Sequence, residues 1–530
     1  MRAVTGKQMR KIEDSAMENI GIPTLLLMEN AAIRLAEHCF AYLNAQSTKQ
    51  RTARIKPKVI IIAGVGGNGG DGLALARHLF LNDVDVNIVV VGDISGIKGD
   101  SYVNLNIVRN MGLTIHSIPS SKEMTKDIPY MIESSELVVD ALFGAGLNRQ
   151  IGGIYKSIVD DINNYSSYVI SVDVPSGICA DTGQVLGSAV NADLTVTFGF
   201  PKIGIMLYPG ATYAGEIDIA DISLPHLSAN NPETSIYTDK EVTAIIPTRH
   251  PRSNKGSFGR VFAFVGSSGM PGAAVLSATA AYKTGAGYVY TCVIPSVAQV
   301  LQNNLKEAVT YIVPEYDGYY CRESFDAIAN ELDNSDVIMM GPGIGHKPHV
   351  SEFVFRLIET AESCLVIDAD GLNAVSEDVN ILKRLKAPCI ITPHPGEMSR
   401  LTGLSISNIL NNTIQIASDF SREFGVVTLL KDARTVVADP SGQNYINISG
   451  SSALAKAGSG DILTGIIASF VSQGLDPFTA AKLGAYVHGK AGESAGKELS
   501  NHGVLASDLL DHIPKVLNYY QTSHQCYEFS

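Results

Sequence analysis

The chain has 530 residues, 45% of them hydrophobic and 18% charged, with a formal net charge of −13. At about 100 to 250 residues per domain this length calls for more than one core, and the composition excludes a chain too polar to fold. The acidic balance excludes a broad electrostatic footprint for nucleic acid, so any phosphate must be bound locally.

In chain order, the amino terminus is interrupted by Lys7, Arg10, Lys11, Glu13 and Asp14, and no apolar run reaches the ~18 residues of a membrane span. A soluble protein with no membrane partner is expected. After Pro23, the spacing of Leu25, Met28, Ala32, Leu35 and Ala36 predicts a helix that covers a sheet. Apolar runs then alternate with longer helical stretches: Val59–Ala63, Val86–Val91, Leu137–Val139, Val169–Val172 and Leu194–Val196. This alternation predicts a parallel sheet with helices on both faces, a Rossmann-like three-layer α/β/α domain over 1–225. Polar punctuation by Pro225, Ser228, Asn230, Asn231 and Pro232 predicts a linker over 226–240. A second series, Val261–Val265, Val337–Met340, Leu365–Ile367, Cys389–Ile391 and Val426–Leu430, predicts another α/β domain over 241–519, with 520–530 as a tail. The two halves carry different glycine motifs, so they do not read as a duplication.

The run from Val59 to Gly72 reads as strand, glycine turn and a helix beginning near Leu73, with Gly64, Gly66 and Gly69 in a G-x-G-x-x-G pattern and Asp93 as a ribose ligand. Such a turn aims free amides at an anion, although a structural tight turn has the same pattern. Two further strand ends carry aspartates beside glycines, Asp140-Ala141-Leu142-Phe143-Gly144-Ala145-Gly146 and Asp173-Val174-Pro175-Ser176-Gly177. They are ligand-crevice residues or helix caps. Oxygen atoms from Asn68, Asp140 and Ser176 suit a hard cation better than zinc.

Together with Phe198-Gly199-Phe200-Pro201-Lys202, these motifs resemble the NAD(P)H-hydrate epimerase family over about residues 1 to 225. The resemblance implies a potassium ion held by Asn68, Asp140 and Ser176. It implies substrate contacts at Gly67, Asn68, Gly69, Gly70 and Asp71, along Gly144, Ala145, Gly146, Leu147, Asn148, Arg149 and Gln150, and at Asp173. Gly67 stands where the family often has a second asparagine. Inverting the hydroxyl-bearing carbon of a hydrated nicotinamide calls for a positioned acid/base, for which Asp173 is the candidate.

In the second half, Gly256–Arg260 leads into the strand Val261–Val265 and the turn Gly266–Gly272, which by themselves read equally as a structural βαβ unit, whereas Gly341–Gly345, Asp368–Asn373 and Thr392–Glu397 are polar, glycine-bearing turns after apolar strands and describe a cleft rim. His394, between two prolines and without a second histidine at metal spacing, reads as a substrate contact or a solvated loop residue. Ala457-Gly458-Ser459-Gly460-Asp461 opens a helix with bare amides, an anion site with a carboxylate beside it. This resembles the anion hole of ribokinase-like folds, in which the aspartate is the catalytic base. The whole set is similar to the NAD(P)H-hydrate dehydratase family over about residues 240 to 519. That resemblance implies a hydrated nicotinamide nucleotide at Gly345, His394 and Asp461. It also implies ADP or ATP with magnesium at Lys431, Asp432, Ala433, Arg434 and Thr435 and at Gly458, Ser459 and Gly460. Asp432 replaces a frequent glycine, and the fusion of both halves resembles the bacterial and archaeal arrangement associated with ADP.

The expected partners are therefore hydrated NADH or NADPH and an adenine nucleotide, with no nucleic acid. The rival reading is a vitamin or sugar kinase fused to a non-catalytic binding domain, since fold alone does not set function. Seven cysteines, scattered and lacking the close pairs of zinc or redox motifs, fit reduced thiols and a cytoplasmic location. Oligomeric state is not legible, and a homo-oligomer is compatible with the sequence.

Overall fold

The computed structural model describes residues 1–47, 56–119, 127–225 and 234–527, and the chain divides into two units, Arg2–Pro232 and Glu233–Ser530 together with Met1. In the first unit, strands β1 (Lys58–Ala63), β2 (Asp85–Val91), β3 (Ile115–Ile118), β4 (Leu137–Ala141), β5 (Val169–Val172), β6 (Leu194–Phe198) and β7 (Glu216–Ala220) form one sheet. Its order is β3-β2-β1-β4-β5-β6-β7, and every pairing is parallel. The direction of winding reverses between β1 and β4, the switch point where such sheets open a crevice.

β1 shows why both faces must be covered. Val59, Ile61 and Ala63 join one core with Leu27, Leu35, Leu73 and Leu105, while Ile60 and Ile62 join another with Val138, Ile158 and Ile162. The period-two alternation of a strand thus feeds two apolar layers, which is why its run is continuously hydrophobic. The predicted cover helix is Thr24–Ser47. Its inward residue in the first turn is Leu27, 5% exposed, whereas Leu25 is 37% exposed. The glycine turn also differs from expectation, because the helix after β1 spans Gly67–Leu81 and takes the glycines into its first turn.

The second unit contains β8 (Thr234–Ser235), β9 (Arg260–Phe264), β10 (Tyr288–Val293), β11 (Val309–Ile312), β12 (Val337–Met340), β13 (Cys364–Ile367), β14 (Cys389–Ile391), β15 (Val427–Leu430), β16 (Val436–Ala438) and β17 (Asn444–Ile446). They pair in the order β11-β10-β9-β12-β13-β14-β15-β16-β17-β8. The pairings from β11 to β15 are parallel; β16 is antiparallel to both of its neighbours. Winding again reverses at one point, between β9 and β12. This is the ribokinase-like half. Its alanine-rich helix Pro271–Thr284 buries Ala274, Ala278, Ala280 and Ala281, small residues that suit tight packing.

Two boundaries need correction. Part of the predicted linker, 226–233, lies outside the described residues, but Thr234–Ser235 is a strand of the second sheet and a helix starts at Asp239. The supposed tail begins inside the helix Ala506–Tyr527, where Tyr520 is 3% exposed. Among the described residues no helix is long and apolar enough to cross a membrane.

Candidate functional sites

The first unit opens a cleft of about 560 Å³ above the β1/β4 switch point. The helix Gly67–Leu81 supplies Gly67, Asn68 and Asp71; the loop after β4 supplies Gly144 to Arg149; Asp173 follows directly on β5. Gly69 and Gly70 are buried in the helix behind that wall. A Cβ at Gly69 would lie 1.9 Å from the Gly64 carbonyl oxygen, so only glycine lets the helix start this close to the strand. Gln150 follows the lining loop; a Cβ at Gly187 would lie 3.0 Å from its Oε1. Asp93 has a different use from the one expected: its carboxylate caps the turn Ile94–Gly96 by accepting from the Ser95 N–H and hydroxyl.

Asp140 is fully buried at the end of β4. Its carboxylate accepts from the Ser171 hydroxyl at 2.8 Å, the Ser176 N–H at 2.8 Å, the Ser176 hydroxyl at 2.6 Å and the Leu142 N–H at 3.3 Å. Burial raises its pKa and these hydrogen bonds pull it back only in part. Ser176 Oγ in turn accepts from the Phe143 N–H at 2.8 Å. Asn68 lies against Gly144, where a Cβ would be 2.7 Å from Asn68 Oδ1, and its Nδ2 is buried with no hydrogen-bond partner.

Asp173 has φ +65°, a conformation costly for a residue with a Cβ and found disproportionately at functional sites. Its Oδ1 lies 2.5 Å from Nζ of Lys202, which is 1% exposed. The Lys202 ammonium also donates to the Phe198 carbonyl at 2.9 Å and the Thr197 hydroxyl at 3.3 Å. Two more carboxylates share the cleft, and both have raised pKa values. Asp71 is pushed well up by burial and then by Asp173 and Glu13; Glu13 is raised by burial and by Asp173, with Lys202 opposing. Glu13 and Lys202 are site residues that the motif reading did not assign. Gly6, Met9, Arg10 and Glu13, all lining the cleft, follow the i, i+3, i+4, i+7 spacing of one helical face, and that periodicity was the available signal.

In the second unit, the helix Ser459–Ser472 starts after Gly458, which has φ +90°. Asp461 lies in its first turn, in which the Ser459 N–H donates to the Lys456 carbonyl at 3.2 Å. Burial, and then Asp368, raise the Asp461 pKa to about 6, with Lys431 opposing and Asp370 adding. Asp368 is 1% exposed; its Oδ1 accepts from Lys431 Nζ at 2.6 Å and its Oδ2 from the Thr464 hydroxyl at 2.7 Å. Lys431 also lies 3.8 Å from Glu397 Oε2. Burial alone would lower the Lys431 pKa, but Asp368 and Glu397 outweigh it and the net shift is upward.

The three residues expected around the nicotinamide nucleotide converge on this cluster. The Gly345 N–H donates to Asp370 at 2.9 Å, and Tyr319 backs the glycine. His394 is the N-cap of the helix Pro395–Thr402: its Nδ1 accepts from the Gly396 N–H at 2.9 Å and the Glu397 N–H at 3.3 Å. Burial first, then Lys431 and Arg400, lower its pKa, so the ring is neutral with Nε2 as its protonated nitrogen. The expected adenine-nucleotide segment divides. Lys431 turns into the carboxylate cluster, whereas Asp432 and Ala433 are exposed between β15 and β16, Arg434 donates to the Ile448 carbonyl, and the Thr435 carbonyl accepts from the Asn447 N–H. Ser459 pairs at 3.0 Å with His488, a buried histidine whose pKa burial lowers to about 4. Asp368, Glu397, Thr464 and His488 are site residues beyond those assigned from sequence.

Fold and site geometry define a two-unit α/β protein, a Rossmann-like half with an acidic cleft and a ribokinase-like half in which a glycine-led helix start carries the carboxylate Asp461 beside Asp368 and Lys431. A family model described as YjeF-related protein N-terminus matches residues 24–204, and one described as NAD(P)H-hydrate dehydratase matches residues 261–515. The bifunctional NAD(P)H-hydrate repair enzyme of Moorella thermoacetica is 38% identical over 521 residues, 98% of this chain and 97% of that protein. Its counterpart in Thermofilum pendens is 34% identical over 518 residues, 98% of this chain and 96% of its own. Among solved structures, the ADP/ATP-dependent NAD(P)H-hydrate dehydratase of Bacillus subtilis, co-crystallised with ATP/Mg2+, is 30% identical, covers 54% of this chain and 98% of its own, and has a TM-score of 0.47. The chain belongs to the family of bifunctional NAD(P)H-hydrate repair enzymes.

Proposed function

We propose that the acidic cleft of the first unit interconverts the R and S forms of hydrated NADH and NADPH, and that the Asp461 site of the second dehydrates the S form at the expense of ADP or ATP. Family membership makes the chain an enzyme with both activities; the division between clefts and the residue roles are our reading. The kinase-plus-binding-module alternative is set aside, because relatives named for bifunctional repair match both halves over 98% of this chain.

The observation that carries the dehydratase assignment is Asp461 itself, a carboxylate in the first turn of an anion-binding helix with a pKa raised to about 6. Asp461 would accept the proton of the substrate hydroxyl as that oxygen attacks the terminal phosphoryl group, and the N–H groups of Gly458, Ser459 and Gly460 would stabilise the transferring charge. The phosphorylated hydroxyl then leaves as phosphate, assisted by the ring nitrogen lone pair, with no net redox change. Lys431 is anchored to Asp368 and brings positive charge to the same edge. Asp432, Ala433, Arg434 and Thr435 would meet the nucleotide beyond it. Magnesium, where it binds with the nucleotide, would be held by phosphates and one or two of these carboxylates and would neutralise phosphate charge.

In the first unit Asp173 is the acid/base, oriented by Lys202. Potassium fits Asn68, Asp140 and Ser176: the buried Asn68 Nδ2 lacks a hydrogen-bond partner, and rotating the amide by 180° brings its oxygen to the same place. A cation there would offset the burial of Asp140 and fix the loop that faces the substrate. We also place the protein in the cytoplasm, on the scattered cysteines, of which the six described are free thiols.

The test is to mix both epimers with the full chain and ADP, ATP or neither, following reduced nicotinamide absorbance and released phosphate. Equimolar reduced cofactor and phosphate are expected only with nucleotide. Full turnover without nucleotide would remove the phosphorylation mechanism.

A further inference from the structure

The N-terminal helix Gly6–Ser15 is seated with little freedom. A Cβ at Gly6 would lie 2.4 Å from the Ala145 carbonyl oxygen, and the Gly6 N–H donates to Asp181 at 2.7 Å. Met9, one turn before Glu13, is buried with Val4 and Phe200. The face Gly6, Met9, Arg10, Glu13 is thereby fixed over the cleft, whose wall Glu13 shares with Asp71, Asp173 and Lys202, near enough to Asp71 for its charge to act on that carboxyl.

The charges in this corner do not balance. Lys202 has three donors, directed to Asp173, the Phe198 carbonyl and the Thr197 hydroxyl. None is left for Asp71 or Glu13. Arg10 and Asp14, on the helix that carries Glu13, act on it with opposite signs, and Asp173 adds repulsion from the sheet. Two carboxylates that share a partly desolvated site and lack a cation of their own cannot both ionise cheaply, so one proton is retained between them.

We propose that Glu13 and Asp71 form a carboxyl–carboxylate pair that stores one proton and serves as the acid partner of Asp173 in epimerisation, which makes Glu13 a catalytic residue delivered by the N-terminal helix. This rests on the epimerase reading of the cleft. The pair protonates the hydroxyl on the substrate ring carbon. The C–O bond breaks with its electrons leaving on water, while the ring nitrogen lone pair closes a C=N bond. Water then adds to the opposite face of that carbon and reopens the C=N bond. The proton it loses goes to Asp173 and returns to the pair, so each turnover ends with the same proton count and no redox change.

The full chain carrying Glu13→Gln is compared with wild type and Asp71→Asn on a mixture of epimers with nucleotide and magnesium. Reduced nicotinamide reappears in a fast phase, from the dehydrated epimer, and a second phase limited by inversion. Glu13→Gln should slow the second phase by about 10² or more while the fast phase is unchanged. Glu13→Asp should recover part of the rate, and the loss should fall on kcat for inversion with KM unchanged. A role confined to seating the helix would instead raise KM and be matched by Met9→Ala. A second phase as fast as wild type in Glu13→Gln overturns the proposal. If wild type itself inverts no faster than the uncatalysed reaction, the epimerase reading fails, and this inference with it.

Discussion

Replacing Asp461 by asparagine keeps the side chain's shape and removes its ability to accept a proton. A positioned general base contributes about 10² to 10⁴ in rate, or about 2.7 to 5.4 kcal/mol of barrier, so dehydration should fall by that factor. The environment sharpens the test. Because burial and Asp368 raise the Asp461 pKa to about 6, the carboxylate is about nine-tenths ionised at pH 7 and about one-tenth at pH 5. Wild-type dehydration should therefore drop about tenfold over those two pH units, while the residual rate of Asp461→Asn stays flat. The assay is the two-phase return of reduced nicotinamide from mixed epimers, with inversion followed separately by chromatography of the epimers without nucleotide. Inversion should survive in Asp461→Asn. Asp173→Asn should do the reverse: rapid dehydration of the correct epimer, with the wrong one persisting. Loss of both activities from either variant in folded protein would mean a shared site and defeat the division of labour. A wild-type rate indifferent to pH between 5 and 7 would refute Asp461 as the base.

Asn68→Ala should weaken potassium binding and inversion together, measured as the potassium concentration that gives half-maximal inversion; normal inversion by the variant in potassium-free buffer would refute the cation site. His394 has a capping role that separates from substrate contact by choice of replacement. His394→Ala should cost about 0.5–2 kcal/mol by denaturant titration, whereas His394→Asn, itself a good cap, should restore stability. If His394→Asn also restores KM for the hydrate, the ring does not contact the substrate.

Much of this architecture is legible because parallel strands covered on both faces must be continuous apolar runs. β1, β5 and β12 were read within a residue for that reason. β7 was not, since Glu216–Ala220 alternates charged and apolar residues at a sheet edge and resembles a polar connection. β16 and β17 are three residues each, too short to show a period, and their pairing is antiparallel inside a parallel series. Glycine motifs marked two strand ends and one helix start and so led to Asp140, Asp173 and Asp461. Residues that reach a site from elsewhere leave no such mark. Glu13 is carried in by the N-terminal helix and His488 from the middle of Pro477–Leu499. Chain distance hides both, because a local pattern reports which face of an element is apolar and not what another element places against it.

The two clefts, built on different sheets, solve one electrostatic problem in the same way. Each has a single largely buried lysine held by one carboxylate, Lys202 by Asp173 at 2.5 Å and Lys431 by Asp368 at 2.6 Å. Further acidic groups join it, Glu13 and Asp71 in one cleft and Glu397 and Asp461, with Asp370 near by, in the other, and Glu13, Asp71, Glu397 and Asp461 have raised pKa values with burial as the first cause. The lysine fixes geometry and prevents the full repulsion of the clustered anions, while the surplus carboxylates move toward neutral pH, where proton transfer is most effective. Both reactions require this at a hydroxyl-bearing carbon, for inversion a proton given and taken back, for dehydration a proton removed as phosphate is transferred. A matched ion pair without the surplus acids would leave no group near neutral pH to move a proton, and on the proposed assignments the further carboxylates supply one in each cleft.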